Sequence, residues 1–480
     1  MVREAAGPAA SPRLRGPPPA KAAGAPTPPG THRPPPPQWC EAKKVETDGL
    51  QVASFGRFGL RGLAASSSTT WRGDAVKMPF DSALRVIPLE RCPFPDFVDG
   101  AFYDRQAPEM KMALQLLHER SKGPESDYAP YLAVLPREFD SPAGWAPDEL
   151  GQLQYPHLEA QARAMGAAWG ETHAELARTS PGAGVSRADL DWAIQCVQSR
   201  LFSGPYTGRS LRSRATLAGF VAVLAAGSVA TGALEVSQGV NGFVSALLFN
   251  LIYDVLVSKQ LKWYALLPLV DLANHRTGSP SEVSYQYFTD EFTLEVGSKC
   301  APGEQLWIQY GEKTNDQLML YYGFSEEDNP VDVYTFASLE GRLREQGVEL
   351  TEARRALLAR AELTEGISEA QLARNGFQKD TLQAVRVALA SDAELGSQGA
   401  QVVAERGGAE SERRLYEVLV ACAEAELAGK ATTAEKDGEL LRSKSADVLG
   451  SRQRWAIEFR RQKKLLLQEG IRNMRKRAGL

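Results

Sequence analysis

Cysteine, histidine and excess charge are all scarce in this chain of 480 residues. Its cysteines lie far apart and form no CxxC pair, so the sequence predicts neither a zinc cluster nor a disulfide framework. Scattered thiols suit a reducing compartment. A net charge of only −4 argues against a general nucleic-acid binder. The five cysteines are Cys40, Cys92, Cys196, Cys300 and Cys422.

The chain also lacks the glycine fingerprint of dinucleotide-binding folds. Gly56, Gly59 and Gly62 lie close together, but the G-x-G-x-x-G spacing is missing and no clear βαβ unit surrounds them. A Rossmann-type domain is therefore disfavoured. The three glycines instead indicate a turn at which backbone approaches another backbone or a ligand.

Residues 1–38 have a composition that does not support a folded domain. Twelve of the 29 prolines fall in the first forty residues, with five Arg or Lys and a single acidic residue before Glu41. Such a segment cannot bury enough apolar surface to fold. Two interpretations stay open, a disordered tail or an organellar transit peptide, and the location is accordingly cytoplasm or chloroplast.

What the chain does contain is a polar motif after an apolar run. Residues 266–270 are apolar and predict a buried strand. Asp271-Leu272-Ala273-Asn274-His275 follows, so Asn274 and His275 are expected to emerge where that strand ends. An Asn amide and nearby backbone groups can pair with the edge of an adenine ring.

A second motif begins thirty-five residues after His275. Residues 305–310 mix polar and apolar side chains as a half-buried strand does, and Gly311 ends the run. This leaves the phenol of Tyr310 at a strand terminus. Phe324, after the Tyr322-Gly323 turn, can supply a flat face against a nucleoside.

The residues before the first motif predict helices. Residues 110–173 show helical apolar spacing, and a later helix is predicted to begin at Ser186, with Asp189 three residues on, and to end near Arg200. The apolar stripe of this later helix is formed by Leu190, Ile194, Val197 and Leu201.

The C-terminal third is predicted to be helical as well. Helical apolar spacing recurs over 354–363, 371–390, 410–427 and 446–470. The last of these helices is strongly basic. It is interpreted as a packing helix with charged ends in solvent, and a docking surface for an acidic protein is the alternative.

Together these residues resemble the SET-domain protein methyltransferases, in the branch of the Rubisco large-subunit lysine methyltransferase and the actin-histidine methyltransferase. Further residues that carry the resemblance are Arg61-Gly62-Leu63-Ala64-Ala65, Tyr128-Ala129-Pro130-Tyr131-Leu132 and Ser199-Arg200. The resemblance implies an α+β fold, with a SET-type β-clip core of short sheets and a helical insertion at about 100–185. It also implies an all-α C-terminal substrate-binding domain, with the SET catalytic domain at 39–330 and the substrate-binding domain at 331–480.

The resemblance implies S-adenosylmethionine as the methyl donor, no metal, and a role for each matching residue. Tyr310 is the implied catalytic residue, and Phe202 and Tyr285 the implied substrate channel, with Tyr287 as the alternative to Tyr285. The planar guanidinium of Arg200 suits the carboxylate of the cofactor. The implied cofactor-binding residues are Arg61, Arg200, Asp271, Asn274, His275, Tyr322 and Phe324.

Phe202 favours lysine as the methyl acceptor. Lysine-modifying relatives have an aromatic or apolar residue at this place, whereas the actin-histidine enzyme has a polar amide. A lysine of pKa about 10.4 is the neutral amine in only about one part in 2,500 at pH 7, a cost of about 4.6 kcal/mol. An apolar channel recovers part of this cost because it disfavours the ammonium.

The sequence therefore predicts a protein-lysine N-methyltransferase that acts on a non-histone protein. A protein-histidine methyltransferase and a non-catalytic protein-binding module are the alternatives. The expected partner is a protein substrate and not nucleic acid, and the expected state is a monomer.

One segment fits none of these roles. An apolar insertion at about 205–260 has no charge over 215–234 or over 236–253. It is rich in Ala and Gly and lies between two residues of one predicted site, so it is interpreted as small-residue helices packed on the core. Membrane association through 215–253 is the alternative.

Overall fold

The structure is a computed structural model that describes residues 3–4, 37–56, 59–66, 73–87, 90–205, 211–256, 262–286, 289–405, 407–443 and 449–479. The two interpretations of residues 1–38 fall almost entirely outside the described residues. The chain divides into two compact units, one of residues 1–138 and 169–312, the other of residues 139–168 and 313–480. This division differs from the sequence-based boundary at 330/331, because residues 313–330 belong to the second unit. Residues 139–168, which are part of the helical insertion, belong to the second unit as well.

The strands are short, as the sequence predicted for the first unit. They are β1 Arg3–Glu4, β2 Glu46–Thr47, β3 Leu50–Phe55, β4 Leu60–Ala65, β5 Gly73–Pro79, β6 Leu84–Val86, β7 Leu201–Pro205, β8 Lys262–Leu266, β9 Asn274–His275, β10 Glu282–Gln286, β11 Glu291–Val296, β12 Trp307–Ile308, β13 Tyr334–Thr335, β14 Gln371–Ala373 and β15 Gly376–Phe377.

The helices range from one turn to 28 residues. They are α1 Pro37–Ala42, α2 Gly100–Asp104, α3 Pro108–Ser121, α4 Ala129–Leu132, α5 Pro147–Gly151, α6 Pro156–Thr179, α7 Arg187–Arg200, α8 Leu211–Ala230, α9 Val236–Leu256, α10 Asn315–Tyr322, α11 Leu339–Glu345, α12 Glu352–Arg360, α13 Glu365–Ser368, α14 Lys379–Leu389, α15 Asp392–Gln398, α16 Ala400–Ala404, α17 Ala409–Ala428, α18 Ala434–Arg442 and α19 Ser451–Ala478.

The first unit is built from small sheets rather than one continuous sheet. One four-stranded sheet has the order β1-β7-β8-β6 and another the order β10-β11-β5-β2. β3 and β4 form an antiparallel hairpin, and β9 pairs with β12 in parallel. Because β5 pairs with β11 and β6 with β8, residues separated by more than a hundred positions come together in these sheets.

The helix that leads into β7 is confirmed. α7 is Arg187–Arg200, and Ser186 is its N-cap, with the Ser186 hydroxyl accepting from the Asp189 backbone N–H at 3.1 Å. The predicted stripe is buried, from Leu190 to Leu201, and α7 packs against α3. Arg200 is therefore held at the point where a buried helix becomes a buried strand.

The predicted strand at 266–270 is wrong in its position. The strand is β8, Lys262–Leu266, and the following residues form a buried turn that ends in a 3₁₀ turn at Val270–Leu272. Pro268 cannot donate to a ladder, and Leu269 has a φ of 75°, which no regular strand contains. Periodicity alone could not show this, because the turn is as apolar as a strand.

The apolar insertion is helical, as predicted, but its helices do not bury their apolar side chains on the core. Val223 of α8 is 71% exposed and Val240 of α9 is 56% exposed. The small residues serve the contact between the two helices instead, since a Cβ at Gly239 would lie 2.6 Å from Val229 Cγ2. None of the helices, as far as their residues are described, has the length and apolarity that a membrane span requires.

The second unit is mainly helical around one core. Its buried side chains come from residues 145–162, from helices between α10 and α19, and from the strands β13, β14 and β15. A small sheet with the order β13-β14-β15 adds to the expected all-α architecture. The helix predicted over 371–390 begins only at Lys379, because residues 371–377 form β14 and β15 around a turn at Arg374-Asn375. Gly376, the first residue of β15, has a φ of 116°.

The basic residues of α19 include a buried group. Lys463 is 2% exposed, and its Nζ lies 2.7 Å from Asp316 Oδ1 and 2.7 Å from Asp332 Oδ1. Burial opposes the ammonium, but the two carboxylates outweigh it and raise the pKa of Lys463. The helix packs on the core, as the sequence predicts, but the expectation that its charged ends lie in solvent is wrong for Arg460, Lys463 and Lys464, whose charged groups are buried against carboxylates.

Replacing Lys463 by Met is expected to lower the free energy of unfolding by about 3–5 kcal/mol, because two buried carboxylates lose their cation. Urea denaturation followed by circular dichroism measures the change. Lys476→Met is the control, since Lys476 is an exposed lysine of the same helix and its loss is expected to change stability by less than about 0.5 kcal/mol. A loss below about 1 kcal/mol for Lys463→Met would contradict the prediction.

Candidate functional site

The two polar motifs of the first unit meet at the parallel pair of β9 and β12. Asn274 lies opposite Trp307, and His275 lies opposite Ile308. The backbone N–H of Arg276 continues the ladder to Ile308 O at 3.0 Å. Residues thirty-five positions apart thus become neighbours, which places Tyr310 beside the Asn274-His275 pair.

Tyr310 is held there by three contacts. Its hydroxyl donates to Ala273 O at 2.8 Å, and its backbone N–H donates to His275 Nδ1 at 3.0 Å. The rings of His275 and Tyr310 lie 5.0 Å apart. A backbone N–H can only donate, so Nδ1 of His275 accepts and the imidazole proton lies on Nε2, 3.2 Å from Thr277 Oγ1.

A buried ion cluster lies next to this pair in the chain. Asp271 Oδ2 accepts from Arg200 Nη1 at 3.0 Å and from the Tyr131 hydroxyl at 2.9 Å. Arg200 also donates to Asp271 O at 3.2 Å. The side chain of Asp271 is 1% exposed and that of Arg200 13% exposed. This geometry fixes the guanidinium at the end of α7.

Arg61 joins the cluster from β4. Its Nη2 donates to Val134 O at 2.8 Å, and its backbone carbonyl accepts from Asn274 Nδ2 at 2.9 Å. Burial lowers the pKa of Arg61, and the charge of Arg200 lowers it further against the opposing effect of Asp271. The two guanidiniums are therefore close enough to repel each other.

The partners of Arg200 act in the opposite direction. Burial disfavours its charged form, but Asp271 and Tyr131 outweigh burial and raise the pKa of Arg200. Burial and the neighbouring Asp271 carboxylate also raise the pKa of Tyr131 far above its usual value, so the phenol stays protonated.

The ion cluster can accept an anionic group. Among the described residues that interact here, Arg61 and Arg200 carry two positive charges against the one negative charge of Asp271, which leaves one positive charge in a partly buried place. Arg200 Nε is buried and has no hydrogen-bond partner among the described residues. A donor without a partner beside a surplus positive charge fits a carboxylate ligand.

Gly62 of β4 lies directly against the side chains of Asn274 and Gln305. A Cβ at this position would lie 2.6 Å from Asn274 Nδ2 and 2.8 Å from Gln305 Nε2. The amides of Asn274 and Gln305 thus pack directly on the β4 backbone. Any side chain here would displace Asn274 from its hydrogen bond with Arg61 O.

Gly62→Ala is accordingly expected to weaken binding of S-adenosylmethionine by at least about tenfold, because an added methyl group moves Asn274. Isothermal titration calorimetry measures the dissociation constant. Gly73→Ala is the matched control, since Gly73 also lies on a strand of this unit and a Cβ there meets nothing within 4 Å. Equal affinities of the two variants would contradict the placement of Asn274 at the cofactor.

The two predicted channel residues lie in different sheets. Phe202 is a buried residue of β7, two positions after Arg200 and opposite Ala265 of β8. Tyr285 is on β10, where its hydroxyl donates to Asp290 Oδ1 at 2.6 Å and its ring lies 5.4 Å from that of Phe80. The alternative to Tyr285, Tyr287, lies outside the described residues. Both channel roles stay predictions.

Tyr322 and Phe324 belong to the second unit. They flank Gly323, which ends α10 with a φ of 76°, and their rings lie 6.2 Å apart. Phe324 also lies 6.4 Å from Trp455 of α19. Their contact with a cofactor stays a prediction.

The sequence did not identify three residues that build the site. Tyr131 was part of a quoted motif but had no role, and the structure places its hydroxyl on Asp271. Gly62 was recognised only as one of three glycines. Gln305 had no distinguishing signal, since a lone Gln in a strand is usually an ordinary surface residue.

The architecture of the chain can be compared with that of known folds. Short sheets with the Asn274-His275 and Tyr310 segments paired, followed by a mainly helical unit, are the architecture expected of a SET-domain protein with a C-terminal substrate-binding domain. Comparison with known proteins confirms this resemblance.

Residues 345–467 match the family "Rubisco LSMT substrate-binding". Among solved structures, the chain is similar to Rubisco LSMT bound to AdoMet, with a TM-score of 0.63, 20% identity, and coverage of 92% of this chain and 91% of that one. It is also similar to the SET domain of LSMT bound to lysine and AdoHcy, with a TM-score of 0.62, 21% identity, and coverage of 92% and 90%. The fold is therefore that of LSMT.

Curated relatives match over shorter lengths. The ribosomal lysine N-methyltransferase set10 of Schizosaccharomyces pombe is 39% identical over 88 residues, which cover 18% of this chain and 15% of that protein. The actin-histidine N-methyltransferase of Xenopus tropicalis is 24% identical over 312 residues, which cover 61% of this chain and 43% of that protein. The chain thus spans less than half the length of these two relatives.

Proposed function

We propose that this chain is an S-adenosylmethionine-dependent protein methyltransferase, and that its acceptor is the side chain of lysine in a non-histone protein. The observation that carries the proposal is the arrangement of Tyr310 beside Asn274 and His275, next to the buried cluster of Arg61, Arg200 and Asp271. Both solved relatives named above hold the methyl donor or its demethylated product.

The cofactor side of the proposal rests on charge and hydrogen bonding. Arg200 and Arg61 would hold the carboxylate of the cofactor, because together they leave one uncompensated positive charge and Arg200 Nε offers a donor. The backbone around Asn274 and His275 would hold the adenine edge. When bound, the cofactor supplies a methyl group already activated by its sulfonium, so the chain need supply no metal.

Tyr310 would align the acceptor rather than act as a strong base. Its hydroxyl has one proton, and that proton is donated to Ala273 O. The phenolic oxygen can therefore only accept from any further partner. An acceptor at this place orients the N–H of a neutral amine and the weakly acidic C–H groups of a sulfonium methyl.

Lysine rather than histidine is proposed because of Phe202. This residue is 2% exposed and apolar. The resemblance described above implies that the actin-histidine enzyme has a polar amide at this place. An apolar wall disfavours an ammonium and so raises the fraction of neutral lysine amine. It offers no hydrogen bond to an imidazole.

Histidine is the second candidate acceptor, and one finding favours it. The curated relatives that match over about three fifths of this chain are named actin-histidine N-methyltransferases, including those of Xenopus tropicalis and Gallus gallus.

The test is transfer of a radiolabelled methyl group from S-adenosylmethionine into a cell protein extract, followed by complete hydrolysis and amino-acid analysis. We expect the label in methyllysine. Label in methylhistidine would overturn the lysine assignment but leave the methyltransferase intact. No transfer, together with no heat of S-adenosylmethionine binding, would favour the non-catalytic protein-binding module.

A further inference from the structure

The helices α8 and α9, with the link at 231–235, form an antiparallel pair that we call the apolar hairpin. Of the fourteen large apolar residues that are exposed in the described part of the chain, eleven lie in this hairpin. They are between 36% and 71% exposed. Soluble monomers rarely expose contiguous apolar surface beyond a few hundred Å², so the hairpin is expected to be covered.

The exposed residues of α9 form a regular ridge. Val236, Val240, Val244, Leu248 and Ile252 follow one another at steps of four, and all five are exposed. Residues at this spacing line one ridge of an α-helix. The two helices of the hairpin contact each other near Gly239, where a Cβ would lie 2.6 Å from Val229 Cγ2.

Charged residues occur only at the two ends of the hairpin. Glu235 lies at the tip, and its backbone N–H donates to Gln238 Oε1 at 2.9 Å, which starts α9. Arg212 and Arg214 are in the first turn of α8, and Asp254 is in the last turn of α9. The uncharged sides between them, about 30 Å long, are suited to an apolar partner.

The exposed area is sufficient for a stable interface. Eleven apolar residues at these exposures present on the order of 1,000 Å². A specific protein interface of standard size needs about 800 Å² from each partner. The hairpin therefore provides enough surface by itself.

We propose that the partner is a second copy of this chain, and that two apolar hairpins pair about a twofold axis as a four-helix arrangement. The commonest class of helix packing places i±4n ridges of both helices into each other's grooves. A twofold axis brings two identical ridges of this kind together. Because the surface is uncharged, it can pair with a copy of itself without repulsion between like charges. This dimer replaces the monomer expected from the sequence, and it does not depend on the proposed activity.

Sedimentation equilibrium of the full chain tests the proposal. The chain has a mass of 52.2 kDa, and we expect the wild type to approach twice that mass at micromolar concentration and to dissociate on dilution. Replacing both Val240 and Val244 by Glu is expected to raise the dimer dissociation constant at least 100-fold. Both valines are more than half exposed in one copy, so the charges are compatible with the folded monomer.

The control is Val402→Glu, because Val402 is 60% exposed but lies in α16 of the second unit. This variant is expected to dimerise like the wild type. A wild type that stays monomeric at every concentration overturns the proposal, and so does a dimer that Val240→Glu/Val244→Glu leaves unchanged. Flotation with phosphatidylcholine vesicles is measured in parallel, and a monomer that floats with vesicles would assign the hairpin to a lipid surface instead.

Discussion

Tyr310→Phe is expected to lower kcat for methyl transfer by about 100-fold or more, while the dissociation constant for S-adenosylmethionine changes by less than about threefold. The substitution removes only the hydroxyl, which donates to Ala273 O and is proposed to orient the acceptor amine. The backbone N–H bond to His275 remains, so the ring and the neighbouring Asn274-His275 pair keep their places. Steady-state transfer from labelled S-adenosylmethionine at saturating concentration measures kcat, and calorimetry measures binding.

Tyr416→Phe is the matched control. Tyr416 is a partly buried tyrosine of α17 in the second unit, and its loss is expected to leave kcat within about twofold. Methyl transfer by Tyr310→Phe at the wild-type rate would show that another group aligns the acceptor. A joint loss of transfer and of cofactor binding would instead show that Tyr310 holds the cofactor pocket together.

Asp271→Ala is expected to lower the free energy of unfolding by about 3–5 kcal/mol. The substitution leaves the buried guanidinium of Arg200 without its carboxylate and the Tyr131 hydroxyl without its acceptor. Binding of S-adenosylmethionine is expected to weaken as well, because Arg200 loses the contact that fixes its position. Denaturant unfolding and calorimetry measure the two effects.

Two further variants show whether the burial of the ion pair causes the loss of stability. Glu175→Ala removes the partner of Arg105 in an exposed ion pair, so it is expected to cost less than about 1 kcal/mol. The double variant Arg200→Met/Asp271→Leu removes both buried charges and is expected to recover most of the stability of Asp271→Ala, but not cofactor binding. Recovery of binding by the double variant would contradict a role for Arg200 at the cofactor.

Local patterns were predicted well where a single element explains them. The Ser186 cap, the stripe from Leu190 to Leu201 and the helix end at Arg200 all depend on residues within fifteen positions of one another. The boundaries of apolar segments were predicted less well. The sequence predicts a strand at 266–270 and a helix at 371–377, and both predictions are wrong. Hydropathy does not distinguish a buried turn, or a hairpin of two short strands, from a regular element.

The candidate site also combines features that the sequence predicts with features that only the structure shows. The spacing of the Asn274-His275 and Tyr310 motifs, and the resemblance they carry, pointed to the residues that β9 and β12 bring together. The hydrogen bond from Tyr131 to Asp271 spans 140 positions, and the sequence contains no signal for it. The sequence likewise gives no signal that Arg200 Nε has no hydrogen-bond partner among the described residues.

The amino-acid sequence by itself determined the α7 helix with its cap and its apolar stripe, because caps and helical periodicity are local properties. The class of fold followed from the resemblance that the motifs carry, and the roles of the site residues stay predictions. Only the tertiary structure decided that Arg61, Arg200 and Asp271 form one ion cluster. It also decided that Tyr322 and Phe324 lie in the second unit. It also decided that the apolar insertion is exposed, since burial depends on what packs against a helix and not on the helix alone. The sequence shows twenty uncharged residues at 215–234, and the structure shows that many of the large apolar side chains in this hairpin are exposed.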